Sequence, residues 1–165
     1  MFRIGCGLAA GVAMLVAGGA WAQDGGPPLS ACAGVVGAWL TDNPGNAPSR
    51  SLVTFTSDGT VLFADSGQGG GAGFSAFTGG HGAWRCVADG PEFSATILDF
   101  TLPSVDWPNQ KIGRLDITAT VDAGKGTMSG TMTLLSAPLD DHPFEAAELE
   151  EDAVGQFDAI RITAP

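Results

Sequence analysis

The sequence predicts an all-β fold, a barrel or a sandwich of about eight strands. Three observations carry that expectation. Apolar stretches are short and broken at regular intervals by Gly, Asp, Asn and Pro. The segment from Leu115 to Asp122 alternates without a fault: Leu115, Ile117, Ala119 and Val121 share one side, and Asp116, Thr118, Thr120 and Asp122 the other. A period of two marks a strand with one buried and one wet face. The 25 glycines and 10 prolines among 165 residues would weaken helix interiors throughout the chain.

Taken in order, Val35 to Leu40 is the first expected strand, ended by Asp42, Asn43, Pro44, Gly45 and Asn46. Ser51 to Thr56 and Val61 to Asp65 flank Asp58-Gly59, a hairpin signal because glycine takes positive φ without strain. Gly67 to Gly73 is a flexible loop by composition, and without a following Lys-Ser/Thr it is no phosphate cradle. Phe74 to Phe77 and Gly82 to Val87 form the next strand region, turned by Asp89-Gly90-Pro91. Phe93 to Leu102 and Lys111 to Asp122 are longer strands on either side of a Pro-flanked loop around Trp107. Ala123 to Gly126 turns the chain into Thr127 to Leu135, and Gln156 to Thr163 is the last strand. No internal repeat is visible, which argues against a propeller or solenoid. Asp140 to Asp152 stands apart, with seven acids and no Lys or Arg. A short helix with Pro143 in its first turn and a loose acidic loop fit it equally.

Residues 1–22 read as a secretory signal peptide: Arg3 near the amino terminus, an uncharged apolar run, and Ala20-Trp21-Ala22 as a small-x-small cleavage site. The run is shorter than the roughly 20 residues that span a bilayer, so no transmembrane segment is expected in the mature protein. Residues 23–33 are expected to be a flexible N-terminal segment, and 34–165 the folded domain. The expected location is periplasmic or extracellular. Lipid anchoring at Cys32 is an alternative, because Leu29-Ser30-Ala31-Cys32 resembles a bacterial lipobox. Cys6 would leave with the leader; Cys32 and Cys86 remain as an even pair in an oxidising compartment, where a structural disulfide is expected.

The formal net charge is −11, with 7 basic and 18 acidic residues. Nucleic acid and anionic lipid are excluded as partners, since both require clustered Lys and Arg. With 44% hydrophobic and only 15% charged residues the chain has the material for a core.

Gly37-Ala38-Trp39 on the first strand and Arg161 on the last resemble the hallmark pairing of lipocalins and the wider calycin barrels. A second set resembles a group of bacterial exported proteins with lipocalin-like barrels: Val53-Thr54-Phe55-Thr56, then Asp58-Gly59-Thr60, then Gly80-His81-Gly82 before Trp84, and a closing Arg161-Ile162. The resemblance spans residues 34 to 163, and the acidic segment departs from it, since a short turn is usual there. It implies a single antiparallel up-and-down barrel in which Gly37, Trp39 and Arg161 close one end. An inward Arg161 over the Trp39 indole would gain a cation–π contact of roughly 0.5–2 kcal/mol.

Such a barrel implies non-covalent binding of a small hydrophobic molecule, with Phe55, Phe63, Phe93, Ile117, Met128 and Met132 as candidate cavity lining. No cofactor, no metal and no catalytic residue is expected. HExxH, EF-hand and Gly-x-Ser-x-Gly patterns are absent, and His142 with Asp140, Asp141 and Glu145 reads as a solvated acidic segment. Two alternatives stand beside ligand binding. A calycin-type cyclase or isomerase would need Asp99 or His81 beside open volume. An envelope-associated interaction module would use the acidic segment 140–152 as its contact surface. No protein partner is specified.

Overall fold

A computed structural model describes residues 27–43, 49–71, 75–87, 89–106, 108–145 and 149–165. The proposed leader, Ala72 to Phe74, Trp107 and Ala146 to Glu148 lie outside the described residues. A 3-10 helix, Leu29–Val35, precedes eight strands. They are β1 Gly37–Asn43, β2 Ser49–Phe55, β3 Thr60–Asp65, β4 Gly80–Cys86, β5 Glu92–Phe100, β6 Lys111–Asp122, β7 Thr127–Pro138 and β8 Glu150–Arg161. Each pairs antiparallel with the next, and β8 returns to β1, closing an up-and-down barrel. Closure leaves no sheet edge for another chain to extend.

The alternation of β6 decides which face is inside. Gly113, Leu115, Ile117, Ala119 and Val121 are buried, while their neighbours are half-buried or exposed. Registers carry that face around the wall: Ile117 opposes Ala95 on β5 and Met132 on β7, and Trp39 opposes Val53 on β2 and Arg161 on β8.

The two ends differ in construction. At one end β2–β3, β4–β5 and β6–β7 are joined by short turns, with Gly59 (φ +89°) and Gly126 (φ +65°) supplying the left-handed residues. The 3-10 helix plugs this end, burying Cys32 and Val35. The other end carries the longer connections 44–48, 66–79, 101–110 and 139–149. It forms the mouth, and binding residues belong to such loops more often than to the scaffold.

A disulfide joins Cys32 to Cys86 on β4 across a separation of 54 residues. Closing so long a loop contributes roughly 4 kcal/mol on a chain-entropy estimate. It also occupies the sulfur that lipidation at Cys32 would need. No helix among the described residues is long and apolar enough to cross a membrane.

Several boundaries differ from the sequence reading, among them β7, which runs on to Pro138, and Ser75 to Phe77, which carry only an isolated bridge at Phe77. Val35 and Val36 precede β1, because Val35 is drawn into the core by the plug. Residues 29–33, expected to be flexible, lie within the 3-10 helix. β8 begins at Glu150, so the end of the acidic segment is strand, paired with β7 beyond a bulge at Leu134/Leu135.

Candidate functional site

The plugged end is held by β1 and β8. Gly37 turns the chain from plug to barrel with φ +136°, and a Cβ there would lie 2.5 Å from Arg161 Nη1. Glycine therefore makes room for the guanidinium. Arg161 Cζ sits 4.3 Å from the Trp39 ring centroid. Arg161 Nη1 donates to the Val36 carbonyl at 2.6 Å and Nη2 donates to the Gly34 carbonyl. Trp39 Nε1 donates to Val35 O at 2.8 Å. Three successive carbonyls leaving the 3-10 helix thus find donors on two barrel side chains, as buried backbone groups require.

Above this closure Phe55, Trp84 and Phe93 meet edge to face, with centroids 5.1 to 6.4 Å apart. Trp84 Nε1 donates to the Thr56 carbonyl at 2.9 Å, satisfying its polar edge. Phe93 is fully buried in this cluster. Beside this cluster, inside the barrel, lies a small void of about 10 Å³, lined on its apolar side by Phe55, Phe63, Ile117, Met128, Met132 and Phe157. That volume is near the lower limit for a single water molecule. Five of the six expected lining residues meet there, and Phe93 lies outside it within the aromatic cluster.

The sequence reading missed the polar side of the same void, formed by Thr41 and Ser51. Both are buried, and Ser51 N donates to Thr41 Oγ1 at 3.0 Å. One inward position further out, Asn43 Nδ2 donates to Ser49 Oγ (3.2 Å), Ser51 Oγ (2.8 Å) and Asp65 Oδ2 (3.5 Å). Asp65 also accepts from the Ser49 and Ser51 hydroxyls at 3.0 and 2.7 Å and from Gly67 N at 2.6 Å. Asn43 Oδ1 is buried and meets no donor. The available signal was phase, because Thr41 and Asn43 follow Trp39 at intervals of two.

On the opposite wall, Asp99 of β5 is 8% exposed and faces the lumen over the inner surface of Gly113. Burial alone pushes its carboxyl from 3.8 up to about 6. Lys111 Nζ, on β6 at the same end, donates to Ser136 Oγ at 3.2 Å. His81, the other ionisable residue an enzyme reading would use, is exposed on the outer face opposite Leu62 and Leu98. Of the two, Asp99 faces the lumen and His81 faces out, and neither lines the void.

The described part of the acidic segment rests against the outer wall. Arg114 of β6 pairs with Asp116 at 2.7 Å, donates from Nη1 to Pro143 O at 3.1 Å, and lies 5.3 Å from the Phe144 ring centroid. Among the described residues no three His, Cys, Asp or Glu side chains gather as a metal site. No family model matches the chain, and neither the curated proteins nor the solved structures provide a match.

Proposed function

We propose that this is an exported, lipocalin-like barrel that binds a small hydrophobic molecule non-covalently in its lumen. The observation that supports it is the lining of the void, where apolar side chains meet buried Thr41 and Ser51 inside the barrel. A void of about 10 Å³ holds no such molecule as it stands, so entry requires side chains to move. Met128 and Met132 suit that movement, being unbranched and able to repack at low cost. Gly155 opposes Met132 on β8, and even a Cβ there would approach the thioether chain no closer than 3.9 Å.

Neutral phenylnaphthylamine tests the reading. It should gain fluorescence on mixing with the protein, and energy transfer should quench Trp39, which lines the void. No gain with this or other uncharged apolar probes overturns it. The small void favours a second reading, a filled barrel that presents its acidic segment to a basic partner. That reading predicts no probe uptake, together with salt-sensitive capture of a basic protein.

A further inference from the structure

One buried side-chain acceptor at the long-loop end, Asn43 Oδ1, has no donor among the described residues. The amide is not reversed, because turning it would put the oxygen against the Asp65 carboxylate that Nδ2 now reaches. Across the lumen the Asp99 carboxyl is 8% exposed, and among the described residues neither a neighbouring charge nor a hydrogen bond offsets its burial. These residues lie on β1 and β5, opposite walls of an eight-stranded barrel. Natural interiors leave few such groups unsatisfied, and each one costs stability unless water or a ligand supplies the donor.

Among the described residues, the hydroxyl donors beside Asn43 are already used. The Ser49 and Ser51 hydroxyls point at Asp65, which also engages Asn43 Nδ2, and Lys111 Nζ is committed to Ser136. The mouth therefore offers acceptors and one unpaired carboxylate above an apolar floor. We propose that it selects an amphiphile whose polar end donates hydrogen bonds, an alcohol or a primary ammonium, and discriminates against one ending in a carboxylate. This rests on lumen binding as proposed above and specifies its ligand class. The apolar tail lies against Phe63, Ile117, Met128 and Met132. The head meets Asn43 or Asp99; a carboxylate head would bring a second negative charge to Asp99 and could not donate to Asn43 Oδ1.

The experiment compares lauryl alcohol, laurylamine and laurate, one tail with three heads, by displacement of phenylnaphthylamine at neutral pH below their aggregation limits. The alcohol and the amine should bind at least about ten-fold more tightly than laurate, the discrimination expected of a single head-group hydrogen bond gained or lost. Asp99→Asn should bring amine and laurate to within about three-fold of each other while the alcohol retains its affinity. The substitution removes one of 18 acids, so an attraction of the amine to the acidic surface would survive it. Equal affinities, tightest binding of laurate, or an amine preference that persists in Asp99→Asn would overturn the inference and leave lumen binding standing. Failure of all three to bind would overturn both.

Discussion

Replacing Asp99 by Asn should stabilise the protein at neutral pH and leave its stability in acid unchanged. The carboxyl is 8% exposed, and burial raises it from 3.8 to about 6. Between those values the folded chain holds a proton that the unfolded chain has released, so stability falls as pH rises through that window. Two units of pKa correspond to roughly 3 kcal/mol. The carboxyl keeps 8% exposure, and screening reduces the cost to about 2 kcal/mol above pH 6. Below about pH 3 the group is protonated in both states and contributes nothing. Asn keeps the shape and neutral polarity of the protonated acid, so the difference between variant and wild type isolates the charge. Urea unfolding with the disulfide intact, repeated across this pH range, reads it. With a slope of about 1–3 kcal/mol/M, the variant midpoint should lie about 1 M higher at pH 7 and coincide with wild type near pH 3. Greater stability of the wild type above pH 6 would refute the reasoning, because it would mean that a cation such as Lys111 pairs with Asp99 in solution. A difference that does not vary with pH would refute it equally.

Gly37→Ala should lower stability by about 3 kcal/mol, since its φ of +136° strains any L side chain and the new Cβ meets Arg161; an unchanged urea midpoint would contradict this. Arg161→Ala should cost about 3 kcal/mol by leaving the Gly34 and Val36 carbonyls without donors and baring Trp39. A loss under about 1 kcal/mol in thermal or urea unfolding would show that water replaces the guanidinium. Gly155→Val should change stability by less than about 1 kcal/mol, since a Cβ there has ordinary spacing and valine suits a strand. It should nevertheless weaken phenylnaphthylamine uptake about five-fold by restraining Met132. Undiminished uptake would remove Met132 from the entry route.

The wall of the barrel was legible wherever alternation was strong. β6 runs from Lys111 to Asp122, the range its pattern indicates, and Asp58-Gly59 marks the hairpin that Gly59 turns with positive φ. The Cys32–Cys86 pair followed from counting the cysteines left once residues 1–22 are read as a leader. The start of β8 was hidden because Glu150 to Asp152 are consecutive acids, without the apolar positions that reveal a strand. Their pairing is decided instead by β7 continuing to Pro138 past a bulge. The apolar floor was foreseen in outline because Phe, Met and Ile on a strand face have few places to go but inward. The polar wall was not. Ser, Thr and Asn carry the same side chains whether they face lumen or solvent, and only their phase with Trp39 separates the two. Asp99 was noted as an ionisable candidate, but its isolation depends on Gly113 leaving room beneath it, which is a cross-strand relation.

Lumen entry is tested most directly at the methionines. Met1 and Met14 belong to the proposed leader, so a chain beginning at Gln23 retains Met128 and Met132, both lining the void. With methyl-labelled methionine its NMR spectrum should contain two thioether signals, each reporting on the lumen. Saturation with lauryl alcohol should shift both. Two resonances that stay in place at saturating alcohol would contradict binding inside the barrel.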